Sequence, residues 1–154
     1  NGTVKFILGI PYYVGFTLNG FPVGVSLSQG RRNSPARTSL VAEAPAIVPF
    51  SLWICPEGRD TALGQVAKMP EFKGMSAEFD SLFRVRGDDE HGARQFLTAE
   101  IQALLLKWHS RNVDVGFANN KFCFSVRELL NEENTLDDFI DDAGLLLARI
   151  GRRG

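Results

Sequence analysis

The residues best suited to chemistry stand together at Asp88, Asp89, Glu90 and His91, just before a long helical pattern. Carboxylates beside an imidazole are the raw material of a metal centre or an acid–base pair. Their spacing works against it. Consecutive residues at a helix start splay by about 100° each, because 3.6 residues complete a turn, so at most two of the four can meet one ion. A helix N-terminus uses the same residues with less difficulty. Gly87 allows the turn, Asp88 or Asp89 accepts the free N–H groups, and the other acids oppose the positive helix end. The cluster is therefore read as a cap; no catalytic residue and no metal site is assigned.

The remaining candidates are sparser. Cys55 ends the apolar run FSLWIC and Cys123 sits in KFCFSV. Their separation fits no zinc or redox spacing, so both read as small strand residues, and whether they meet is left open. His109 lies at the end of a helical pattern, where a cation is favoured. Arg31, Arg32 and Arg37 flank a Ser/Pro loop and form the one candidate anion site, since guanidinium groups hold phosphate or an anionic head group. A solvated loop is the plainer reading. Asp138 and Asp142, four residues apart on a helix, are spaced to share a cation, but a solvated face is the favoured reading. No phosphate loop, dinucleotide fingerprint, GxSxG elbow or HExxH occurs. No cofactor is expected.

The elements that must position these residues follow from pattern. Asn19-Gly20 is a hairpin turn signal, since both central positions of a type I′ turn need φ > 0. Pairing outward sets Leu18 against Phe21, Phe16 against Val23 and Val14 against Val25, all on one face. Pro22 falls on a strand, which suggests an edge or a bulge. A second hairpin turns about Asn119-Asn120 and sets Phe117 against Phe122, Val115 against Phe124 and Val113 against Val126. Asp114, Cys123, Ser125 and Arg127 then share its other face. RTSLVA, AIVPFSLWIC (bent at Pro49) and Phe83 to Arg86 read as further strands, and a short helix is expected from Thr61. Ile101, Leu104, Leu105 and Trp108 form one helical stripe after a Thr98 cap. Leu136, Phe139, Ile140, Ala143, Leu147 and Ile150 form a second. The expected fold is α+β: an antiparallel sheet of about six strands built from hairpins, with two main helices packed on one face.

The 154 residues fit a single domain over 1–154. A net charge of −1 lacks the basic excess of a nucleic-acid binder, so no nucleic-acid partner is expected. No run reaches the roughly 18 apolar residues that span a bilayer. The chain starts without Met and reads as a fragment of something longer. A membrane then enters only through an upstream anchor.

The run FDSLFRVRGDDEHGARQFLT resembles a motif of a family of uncharacterised bacterial domains: a Phe-Asp pair, a Phe-x-Val strand, an acidic turn, an Ala-Arg helix and a Leu-Thr step. Phe79, Asp80, Phe83, Val85, Asp88, Ala93, Arg94, Leu97 and Thr98 match, over a likeness that spans 79–150. Ala99 departs from it, where such domains often have Pro. The resemblance implies a domain of a membrane-associated protein, often downstream of membrane-spanning helices, and carries over no catalytic residue. In it Phe79, Phe83 and Val85 seat the strand, Asp80 caps a local turn, Asp88 caps the helix and Arg94 pairs with one of these acids.

The leading expectation is a non-enzymatic protein-interaction or scaffold domain of a membrane-associated bacterial protein, binding a protein partner or itself. Its rival is an enzyme or a small-ligand or anion-binding domain whose site assembles from distant residues, with His91, Asp80, Arg84 and Cys55 the first suspects. The cellular side is left open, a cytoplasmic domain of a membrane-anchored protein being one option.

Overall fold

A computed structural model describes residues 3–7, 10–30, 35–43, 50–59 and 66–151, with side chains over 13–30, 35–43, 50–59 and 67–150. The strands among them are β1 (Thr3–Ile7), β2 (Ile10–Leu18), β3 (Phe21–Ser28), β4 (Arg37–Glu43), β5 (Leu52–Pro56), β6 (Glu71–Phe72), β7 (Phe83–Gly87), β8 (Asp114–Ala118) and β9 (Lys121–Val126). The helices are α1 (Ala77–Leu82), α2 (Glu90–Phe96), α3 (Ala99–Trp108) and α4 (Glu133–Gly151). All nine strands join one sheet in the order β1-β2-β3-β4-β9-β8-β5-β7-β6, and every neighbouring pair is antiparallel.

Both expected hairpins form in the expected register. Leu18 faces Phe21, Phe16 faces Val23 and Val14 faces Val25, while Phe117 faces Phe122 and Val115 faces Phe124. The turn residues carry the positive φ that type I′ geometry demands: 51° and 83° at Asn19 and Gly20, 52° and 62° at Asn119 and Asn120.

Among the described residues the strands number nine rather than about six, and the α-helices four rather than two. The unexpected strands lacked a readable period: β6 has only two residues, and β1 is a five-residue segment. The unexpected helix α1 takes Phe79, which the resemblance had set to seat the strand. Ser76 caps it, its Oγ accepting from the Phe79 N–H at 3.3 Å. Pro22 lies not on an edge strand but on β3, between β2 and β4. The β3–β4 pairing begins only at Val23, so the missing N–H of Pro22 costs the ladder nothing. The expected helix from Thr61 and the bend at Pro49 lie outside the described residues.

One face of the sheet carries the core. Leu40, Ile54, Val85, Val115, Phe122 and Phe124 alternate onto it and are buried. The helices close over it with aromatic contacts. Phe96 of α2 meets Phe117 edge-on at 5.2 Å, Trp108 of α3 meets Phe124 at 6.2 Å, and Phe139 of α4 stacks on Phe124 at 4.7 Å. No α-helix among the described residues lies on the opposite face. A 3-10 turn at Val66–Lys68 reaches it at the margin, where Arg86 donates to Ala67 O at 3.0 Å.

Candidate functional site

The acidic run that opened the sequence reading is a helix start, by a different mechanism from the one expected. Asp89 occupies the N-cap position of α2 without a side-chain cap bond. Asp88 does not cap. Its Oδ1 accepts from the Ser51 N–H at 2.6 Å, and its own N–H donates to Ser51 O at 3.2 Å. It ties the end of β7 to the start of β5. His91 is exposed on α2 beside Gln95. Among the described residues no group of three His, Cys, Asp or Glu is placed to hold a metal ion.

The other motif residues are structural as well. Asp80 accepts from the Gly74 and Met75 N–H groups at 2.7 and 3.1 Å and so holds the loop before α1. Arg94 pairs with neither Asp80 nor Asp88. It pairs with Glu90 at 2.6 Å and donates to the carbonyls of Lys73 and Gly74. Phe79 stacks on Phe83 at 4.7 Å, and Val85 pairs with Ile54 in the core. Thr98 is the N-cap of α3, again without a side-chain bond. Asp138 and Asp142 do share a cation, and α3 supplies it: Lys107 Nζ lies 3.4 and 2.9 Å from them. Asp142 also accepts from Trp108 Nε1 at 2.7 Å.

The suspects for a distributed enzyme site do not converge. Arg84 and Cys55 are cross-strand neighbours on the helix-free face, whereas His91 and Asp80 belong to the helical layer beyond the core. His109 is half-buried, edge-on to Phe83 at 5.2 Å. Neither cysteine forms a disulfide among the described residues.

The helix-free face holds what remains. One cross-strand row runs Gly24, Val41, Cys123, Gly116, Trp53 and Arg86 from β3 to β7. Its glycines make room for aromatic rings. A Cβ at Gly24 would stand 2.5 Å from the Tyr13 ring, and one at Gly116 would overlap the Trp53 indole. Trp53, Met69, Ala118 and Cys123 line a groove of about 170 Å3. The shielded Nε1–H of Trp53 donates to nothing among the described residues. Val41, in the same row, is 40% exposed. Burial raises the Cys123 thiol above its ordinary range, against the pull of Arg37. A broader, open depression of about 570 Å3 lies between the two Asn-centred turns and offers one acid, Glu43, and one base, Lys121.

Towards β6 the face is a self-neutralised lattice. Glu57 binds Lys73 at 3.1 Å and Arg84 at 2.8 Å, and Arg84 reaches Glu71 at 3.3 Å. The hydrogen bond from Lys73, then that from Arg84, holds the Glu57 carboxyl below the usual range. Charges of both signs beside a two-residue edge strand deter edge-to-edge pairing.

In the middle of the face lies the one group that the hairpin register placed but could not explain. Asp114 is 2% exposed, and its Oδ2 lies 3.5 Å from Arg37 Nη2 and 3.6 Å from Arg59 Nη2. Arg37 also donates to Ser125 Oγ at 3.0 Å. Of the predicted anion-site residues, only Arg37 is placed here; Arg31 and Arg32 lie outside the described residues. Arg59 was missed because it follows β5 in a turn, and only strand order brings it to β8. No family model, no curated protein and no solved structure matches this chain.

Proposed function

We propose that this chain is a non-enzymatic interaction domain that uses the helix-free face of its sheet to hold an apolar side chain of a partner protein. The observation that carries the reading is the groove of Trp53, Met69, Ala118 and Cys123. At about 170 Å3 it is near the roughly 150 Å3 that accommodates a benzene ring, and well below the roughly 300–1,000 Å3 of metabolite sites. One side chain fits it. The Trp53 N–H, shielded and without a partner among the described residues, is a donor for a backbone carbonyl of the incoming segment. A half-buried tryptophan at the centre of an apolar patch is the usual anchor of such interfaces. Attachment to a membrane outside this domain belongs to the proposal, supported by the resemblance of residues 79–150 to bacterial domains of that kind. No helix among the described residues is long and apolar enough to cross a membrane.

Selection from a random peptide display library tests it. The enriched peptides should share one large apolar residue, and Ala118→Asp should abolish their binding while the melting temperature holds. Enrichment of nothing, or peptides indifferent to Ala118→Asp and to Val41→Asp, would sink the reading.

A further inference from the structure

We infer that Arg37, Arg59 and Arg127, gathered around Asp114, form a binding site for a phosphate-type oxyanion. The inference does not depend on the groove being occupied. Strand order gathers the arginines: Arg37 opens β4, Arg59 lies in the turn after β5, and Arg127 follows the last residue of β9. Asp114 offsets at most one of the three positive charges, which leaves at least +2 on the cluster. A phosphoryl group carries about −1.5 to −2 near neutral pH, and so matches that excess.

Hydrogen-bond accounting points the same way. Arg59 Nε and Nη2 and Arg127 Nε are shielded from solvent and make no hydrogen bond among the described residues, and Asp114 Oδ1 is shielded and accepts none among them. Arg127 has no side-chain ion pair among the described residues. The two closest arginine approaches to Asp114, at 3.5 and 3.6 Å, are longer than a charge-assisted hydrogen bond. Buried donors left without acceptors are costly, and here the donors outnumber the acceptor. A ligand rich in acceptor oxygens satisfies them. Burial, followed by repulsion from Arg127 and Arg37, makes Arg59 a weaker base than usual despite Asp114. An incoming anion offsets the repulsion.

The cluster is held rigidly enough to serve. Arg59 is anchored through Cys55 Sγ on its carbonyl at 3.4 Å and through its own Nη1 on Asn112 O at 3.5 Å. The Arg127 N–H donates to Arg111 O at 3.0 Å. Ser125, opposite Asp114 in the β8–β9 ladder, holds Arg37 by accepting from its Nη1 at 3.0 Å.

Calorimetric titration of the intact chain with inorganic phosphate, glycerol 3-phosphate and acetate at constant ionic strength tests this. Phosphate should bind saturably. Arg59→Gln and Arg127→Gln should each weaken it by about tenfold or more, the worth of one charge-assisted hydrogen bond. Should Arg59→Gln fail to fold, Arg127→Gln decides, because Arg127 makes no ion pair among the described residues. Asp114→Asn removes the competing carboxylate and should tighten binding, whereas a self-contained ion cluster would only lose stability. Inorganic phosphate binding more tightly than glycerol 3-phosphate assigns the free ion, and the reverse order a phosphomonoester. No saturable phosphate binding, binding unchanged in Arg127→Gln, or acetate preferred to phosphate would overturn the assignment.

Discussion

Asp114 shows how far single residues could be read. Its hairpin register put it on one face with Cys123, Ser125 and Arg127, as the structure has it. That it is buried, and that Arg37 and Arg59 reach it, follows from β4 and β5 flanking the hairpin, which no local pattern encodes. The burial has a titration consequence. It raises the Asp114 carboxyl above its ordinary value of 3.8, outweighing Arg59, then Arg37, then Arg127. The folded chain therefore holds that proton more tightly than the unfolded chain. Its contribution to stability is fully present below pH 3.8 and is lost as pH rises through the raised value. Melting temperatures taken upward from about pH 4 should decline more in the natural chain than in Asp114→Asn, which has no proton to lose there. Parallel profiles would contradict this. The Asp88 result teaches the complementary lesson. Sequence identified a carboxylate at a helix start, but its side chain accepts instead from the N–H of Ser51, the residue before β5.

At the scale of elements, periodicity was legible wherever it ran long enough. Both hairpins and the stripes of α3 and α4 appear where the pattern put them, whereas β6 and α1 were too short to show a period. The joints between elements were not legible, and they depend on few groups. The Thr38 hydroxyl, buried on β4, donates to Glu128 O at 2.8 Å and accepts from the Leu130 N–H at 3.0 Å. It seats the segment leading from β9 into α4. Thr38→Val keeps the shape but leaves that N–H and carbonyl without partners, which should cost about 1–3 kcal/mol in urea unfolding. Thr38→Ser keeps the hydroxyl and should lose about 1 kcal/mol, one methyl's worth. Equal losses in the two variants would show that packing, not the hydrogen bonds, holds the joint.

At the scale of the molecule, strand order separates this fold from the simple hairpin sheet its sequence suggests. The β8–β9 hairpin, late in the chain, is inserted between the β1–β4 meander and β5. Hairpin signals name local partners; they do not say which outer strand each hairpin will meet. Completing such a sheet requires pairings distant in sequence, so refolding followed by tryptophan fluorescence should take milliseconds to seconds. A dominant microsecond phase would contradict the topology. The same insertion matters on the ribosome. The β1–β4 segment emerges first, and the β4 edge that β9 later covers stays open until Lys121–Val126 has been made, seconds later at about 5–20 residues per second. During synthesis Leu40 and Val41 stand on a bare sheet margin, where chaperones and neighbouring nascent chains compete with the rightful partner strand.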